Sequence, residues 1–300
     1  MKKKLKIYFE DFWGHDVYLF NPNDNYFLDL LSLEYDVIID SSPDILFYSV
    51  FGGNNNNYNG KCKKVFFLGE NTGSNFKHPD TQVCDLSMSQ FNTSKTNMFF
   101  PLWALQINWF NKTQPRPLPS NPYYHINTEV LTTSPFFNKT KFCAFINGNP
   151  TSNRLEFFNI LSKYKQVDSY GPFLNNVGGL FVRNEHDKVN LLTHYKFTIA
   201  FENTLQDGYN TEKIIQPLAA NCMPIYWGGK RYKDYFNTDK IICLNDESNN
   251  YDEVIEQIIA LDNDKDRYSS IMQQSSIKYD AVQEFAPVNV LNRLKQTLNI

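Results

Sequence analysis

Phe197 to Gly229 reads FTIAFENTLQDGYNTEKIIQPLAANCMPIYWGG, a strand, a polar loop, a helix and a second strand in one short unit. Phe197 to Phe201 is an apolar run of strand length that stops abruptly at Glu202 and Asn203. Polar residues therefore stand at the carboxyl end of a strand, the edge at which open α/β sheets bind ligands. After a loop holding Asp207, Gly208 and Tyr209, Thr211 is placed to cap a helix whose first turn carries Glu212 and Lys213. A helix start offers unpaired N–H groups and a partial positive charge, and Lys213 adds a full one, so the unit suits a phosphate or diphosphate. Pro217 removes a backbone hydrogen bond at a cost of roughly 3 kcal/mol, which predicts a bent or short helix.

Working outward, the residues before this unit repeat the same alternation. Phe142 to Ile146 reads as a strand, Ser152 to Tyr164 as a helix, Gln166 to Ser169 as a strand, Gly171 to Gly179 as a loop and Asp187 to Tyr195 as a helix. Beyond it come a strand at Lys240 to Leu244 and helices at Tyr251 to Leu261, Asp266 to Tyr279 and Val288 to Leu298. The first half offers strands at Lys4 to Phe9, Tyr35 to Ile39, Asp44 to Val50, Lys64 to Leu68 and Val83 to Met88, with a helix at Asn25 to Leu33. The strand KVFFL delivers Gly69, Glu70 and Asn71 to its carboxyl end, a second polar cluster at such an edge. GGNNNNYNG, Gly52 to Gly60, has nothing to bury and reads as a mobile surface loop. Between the halves, Asn108 to Asn138 turns rich in Pro, Asn and Thr, with Pro115, Pro117, Pro119 and Pro122 close together. Two βα series with such a join predict an α/β protein of two Rossmann-like domains, residues 1–136 and 137–300, facing each other across a ligand-binding cleft. No GxGxxG or P-loop pattern follows any strand, which argues against a dinucleotide or NTPase site.

The 300 residues carry a formal net charge of −3, without the basic field that nucleic-acid binding needs. No apolar run reaches the roughly 18 residues of a membrane span, and the opening MKKKLKIYFEDFW is too short for a signal sequence, so a cytoplasmic location is expected. The five cysteines, Cys62, Cys84, Cys143, Cys222 and Cys243, show neither a disulfide framework nor a metal-binding spacing and read as small core residues. Sequons at Asn92, Asn111 and Asn138 are attributed to the Asn-rich composition. His15, His78, His125, His186 and His194 never pair at a ligand spacing, and no metal site is predicted.

Phe201-Glu202-Asn203-Thr204, Tyr209-Asn210-Thr211-Glu212-Lys213 and Pro224-Ile225-Tyr226-Trp227-Gly228, together with GENTGSNF at Gly69 to Phe76, resemble in order and spacing the motifs of the α-1,3-fucosyltransferases. The weaker resemblance runs from the opening strand to about Leu244. It implies a glycosyltransferase B architecture, with donor held mainly by the second half. It also implies inverting transfer of fucose from GDP-fucose to a hydroxyl, such as O3 of N-acetylglucosamine or glucose in a lactosamine, Lewis-antigen or lipopolysaccharide-type oligosaccharide or glycolipid.

On this resemblance Glu70 stands where the family places its base, and Glu202 is the rival acid. From position alone Glu70 is a solvated loop carboxylate, and Glu202 one that orients its loop or pairs with Lys196. Arg154, early in a helix that Ser152 or Asn153 could cap, matches the family's diphosphate arginine, and Lys213 is the second cation there. Glu212, Tyr209 and Asn203 match residues around the nucleoside; on their own they read as helix-dipole pairing, loop packing and an Asx turn. Arg183 and Lys188 are second-rank cations. No cofactor is expected to be obligatory, with Mn or Mg at most stimulatory. Peripheral membrane contact stays open, as do two alternatives: a transferase for another GDP-sugar, and a silent glycan- or nucleotide-binding module. Trp13 and Tyr18 are candidates for stacking on a sugar.

Overall fold

The computed structural model describes residues 2–14, 20–71, 78–91, 96–112, 126–135, 138–182, 184–244 and 251–300. Tyr18, His15, His125, Asn92, Arg183, the prolines from Pro115 to Pro122 and most of GENTGSNF lie outside them. The chain divides into two compact units, residues 1–125 with 207–209 and 282–300, and residues 126–206 with 210–281.

The first unit opens with β1 (Lys3–Glu10), α1 (Tyr26–Ser32), β2 (Tyr35–Ile39), β3 (Ile45–Tyr48), β4 (Lys63–Leu68), β5 (Leu86–Ser89) and β6 (Asn97–Phe99). These strands form one sheet in the order β2-β1-β3-β4-β5-β6, every pair parallel. The chain leaves β1 in one direction for β2 and then returns past it to β3, so the gap between the ends of β1 and β3 is the topological switch point. Both faces are covered, so the strands read as continuous apolar runs; β3 and all of β4 after Lys63 are buried.

Two expectations change here. The strand expected from Val83 starts only at Leu86, because Asp85 accepts from the Lys64 backbone N–H at 2.8 Å and from Lys63 Nζ at 2.9 Å, leaving Val83 82% exposed. The Gly52–Gly60 run is not idle either. It folds into a 3-10 helix, Asn54–Tyr58, whose backbone is held by Asp11, and Asn55 is buried.

The second unit holds α2 (Thr128–Thr133), β7 (Lys141–Phe145), α3 (Ser152–Tyr164), β8 (Val167–Ser169), α4 (Glu185–Leu192), β9 (Tyr195–Phe201), α5 (Glu212–Ala219), β10 (Met223–Trp227), α6 (Tyr232–Tyr235), β11 (Ile242–Cys243), α7 (Asp252–Asn263) and α8 (Lys265–Met272). Its sheet runs β11-β10-β9-β7-β8, again wholly parallel, with the switch point between β7 and β9. One helix was expected over Asp266 to Tyr279. Instead α8 stops at Met272, where the buried Lys240 ammonium takes the Met272 and Gln274 carbonyls at 3.0 and 2.9 Å, and α9 (Tyr279–Phe285) begins after a break.

From Val282 the chain belongs to the first unit, not the second as the 137–300 division supposed. The reason is aromatic packing. Phe285 is fully buried, its ring 4.9 Å from that of Trp103 and 6.1 Å from that of Phe100, and α10 (Pro287–Leu298) buries Val290, Leu291, Leu294 and Leu298. Phe285→Ala should therefore destabilise the first unit by about 3–5 kcal/mol, the usual cost of emptying a buried aromatic site. Chemical denaturation followed by Trp fluorescence checks this, and a change below 1 kcal/mol would show that the contact contributes little.

Candidate active site

At the second unit's switch point, β9 ends in a buried carboxylate. Glu202 is 1% exposed and accepts from the Thr211 backbone N–H (2.8 Å), the Thr211 hydroxyl (2.8 Å) and the Tyr226 hydroxyl (3.1 Å). Thr211 is in turn the N-cap of α5. Beside it, buried Asn210 donates to Tyr226 Oη at 2.8 Å and to the Gly229 carbonyl at 2.7 Å. A Cβ on Gly228 would stand 2.4 Å from Tyr226 Oη and 2.7 Å from Glu202 Cγ, so glycine is required for this close approach. One network therefore locks the ends of β9 and β10 to the start of α5.

Lys213 lies on that network. Its ammonium is 2.8 Å from Glu212 Oε1 and 3.7 Å from Glu202 Oε2, with the side chain 18% exposed. Burial drives the Glu202 carboxyl up; Lys213 opposes this and Glu212 adds to it. Burial also works to raise Glu212, but Lys213 and then Lys188 overrule it and hold that carboxyl at about 2. Lys188, on α4, and Lys213 line one small hollow of about 20 Å³ with Asn147 and Pro217, beside the switch point. Pro217 sits inside α5, which is short at eight residues, as the sequence predicts.

Arg154, expected on the diphosphate, is buried at the end of β9. It is 0% exposed, and its guanidinium donates to the carbonyls of Asn149 (3.0 Å), Phe201 (2.7 Å) and Glu202 (3.1 Å) and to Asn203 Oδ1 (2.9 Å). In this arrangement it holds the end of β9 and the exposed Asn203 in place. Lys196 is not the partner of Glu202; it pairs with Asp262 at 2.8 Å.

Glu70 lies in the first unit, directly after β4. Trp13 Nε1 donates to its Oε1 at 3.0 Å, and Gln90 Nε2 donates to its backbone carbonyl at 2.7 Å. Tyr209, expected around the nucleoside, is buried at 3% exposure and groups with this unit through Asp207–Tyr209. There Gly208 (φ +80°) lies so close to Gln90 that an added Cβ would stand 2.0 Å from its carbonyl oxygen. Sequence reasoning missed the roles of Asn210, Tyr226 and Gln90. The first two lie in the quoted motifs, but nothing local shows that their side chains meet. Among the described residues no group of three or more His, Cys, Asp or Glu could hold a metal, and no helix is long and apolar enough to cross a membrane.

The description "Glycosyltransferase family 10 (fucosyltransferase) C-term" matches residues 137–286, and "Alpha-(1,3)-fucosyltransferase FucT N-terminal domain" matches residues 7–106. The chain belongs to glycosyltransferase family 10. The family match thus continues well past Leu244, where the sequence motifs stop. Among similar proteins is the Helicobacter pylori alpha-(1,3)-fucosyltransferase FucT, 27% identical over 91% of this chain and 60% of that protein. A putative fucosyltransferase of Acanthamoeba polyphaga mimivirus is 33% identical over 51% of this chain and 27% of its own length. The Bos taurus GDP-fucose protein O-fucosyltransferase 3 is 31% identical over 52% of this chain and 36% of its own. The chain therefore spans from about a quarter to three fifths of the length of these relatives. In fold it resembles a crystal structure of alpha1,3-fucosyltransferase (TM-score 0.73, 22% identity, all of this chain and 91% of that one).

The Glu202 network predicts a pH signature in this family 10 chain. A carboxyl raised in the folded state contributes stability below its unfolded value, and this is lost as pH rises through the folded value. The stability of the native chain relative to Glu202→Gln should therefore fall as pH rises from about 4.5 towards neutrality. Urea denaturation of both proteins across that range tests this; a difference independent of pH would contradict the burial effect.

Proposed function

We propose that this chain transfers L-fucose from GDP-fucose to an acceptor hydroxyl with inversion, releasing GDP. The observation that carries this reading is the family match together with a lysine-bearing helix start built into the second sheet's switch point. In this reading Lys213, with Lys188 nearby, faces the diphosphate. Bonding to the departing phosphate grows as its charge grows, so these cations favour the transition state over the bound donor. Glu212 and Asn203 line the nucleoside side, and Arg154 acts by holding Asn203 and the β9 end. Tyr209 belongs to the same donor group only through its loop.

Glu70 takes the acceptor proton while the acceptor oxygen bonds to the anomeric carbon from the face opposite GDP. The bond to the β-phosphate oxygen breaks, and its electron pair leaves with GDP. No enzyme-bound intermediate is required. Protein cations supply the positive charge, so turnover should persist in a chelator, any metal effect being stimulatory. A cytoplasmic location belongs to the same reading.

An oligosaccharide acceptor is favoured over a protein hydroxyl. The alpha-(1,3)-fucosyltransferase N-terminal description covers residues 7–106, the part that contains Glu70. The resemblance to protein O-fucosyltransferase 3 makes a peptide acceptor the second reading. Purified protein incubated with GDP-fucose and N-acetyllactosamine should release GDP and fucosylate the disaccharide. Glu70→Ala should lower transfer by roughly 100- to 10,000-fold while GDP still binds. Absence of transfer to lactosamine and to peptides, with no donor hydrolysis, would remove the proposal. GDP release only with another GDP-sugar would redirect it, and GDP binding without turnover on any acceptor would favour a silent binding module.

A further inference from the structure

The first sheet has the same switch-point logic as the second, and its gap lies between the ends of β1 and β3. Three features are built there. Asp11, immediately after β1, has φ +59°, an uncommon conformation for a residue with a side chain and one that clusters at functional sites. Its carboxylate accepts from the backbone N–H groups of Asn54 and Asn55, each at 3.0 Å, and from Asn55 Nδ2 at 2.9 Å. Its carbonyl accepts from the Phe51 N–H at 2.9 Å, and Gly52 is needed beside it, since a Cβ there would stand 2.2 Å from Asp11 Oδ1. The β1 exit and the loop after β3 are thereby fastened to each other.

This fastening presents Trp13 to Glu70. The Trp13 indole packs against Phe51 (5.5 Å between centroids) and Phe67 (5.9 Å), which leaves its N–H donating to Glu70 Oε1. From the other side the buried Gln90 side chain fixes the Glu70 carbonyl. Among the described residues Glu70 Oε2 has no such partner. A carboxylate on a loop after a strand has several rotamers; a donor on one oxygen selects one of them and aims the other oxygen in a fixed direction.

We propose that Trp13 is a positioning residue: its indole N–H holds Glu70 Oε1 so that Oε2 is aimed at the acceptor hydroxyl. This rests on the reading of Glu70 as the base. The Asn-rich run from Gly52 is the brace that keeps Trp13 in place. The contribution is to orientation, where small misplacements of a base are costly in rate.

The test replaces Trp13 with benzothienylalanine, which keeps the bicyclic ring and removes only the N–H, and separately with Phe. Transfer from GDP-fucose to N-acetyllactosamine is measured for both, beside Glu70→Ala. The expected result is a kcat lowered by roughly 10- to 100-fold, with KM for donor and acceptor within about twofold of the native values and an unchanged melting temperature for the benzothienylalanine protein. An unimpaired kcat in that protein beside an inactive Glu70→Ala would overturn this inference alone. A fall in kcat that tracks a lower melting temperature would also overturn it, giving Trp13 a structural role. Full transfer by Glu70→Ala would remove the base assignment and this inference with it.

Discussion

A carboxylate removed from water is costly unless donors replace its hydration, and the second unit is built around that constraint at Glu202. The donors that compensate it come from Thr211 and Tyr226, with the Lys213 charge close by. Each belongs to a different part of the β9–α5–β10 unit, so satisfying one buried group fixes all three elements together. The cap that starts α5, the close approach at Gly228 and the position of Lys213 are consequences of it. Arg154 repeats the principle with the opposite sign, a buried cation whose guanidinium donates to carbonyls at the same strand end. Such networks specify one arrangement strongly, because any partial solution leaves a buried polar group unpaired.

The first unit applies the same topology to a different end. Its sheet also reverses direction beside its first strand, yet the described part of the polar turn there, residues 11–14, carries no lysine or arginine. It offers instead an aromatic turn braced by the Asp11 carboxylate, and beside it Glu70, held at both its backbone and its side chain. A helix start with lysines suits a phosphorylated leaving group, and an oriented carboxylate suits a proton.

Much of this organisation was legible in the sequence. Apolar runs located nearly every strand to within a few residues, since parallel strands buried on both faces leave a strong signal. The start of α5 was readable because Thr211, Glu212 and Lys213 are a local pattern. What was not legible depends on contacts distant in sequence. Arg154 reads as a surface residue early in a helix, and only the fold brings the β9 carbonyls, almost 50 residues away, to its guanidinium. Gly52 to Gly60 looks idle until Asp11 is seen to accept from its backbone. The last helix reads as an appendage of the second half until Phe285 is placed against Trp103.

The central claim is that the start of α5, fixed by Glu202 and bearing Lys213, holds a nucleoside diphosphate. Calorimetric titration of GDP into the native chain and into Lys213→Ala tests it most directly. The account predicts saturable one-to-one binding that weakens by about tenfold or more in the variant, in line with loss of a charged hydrogen bond. Equal affinity in the two proteins would contradict it.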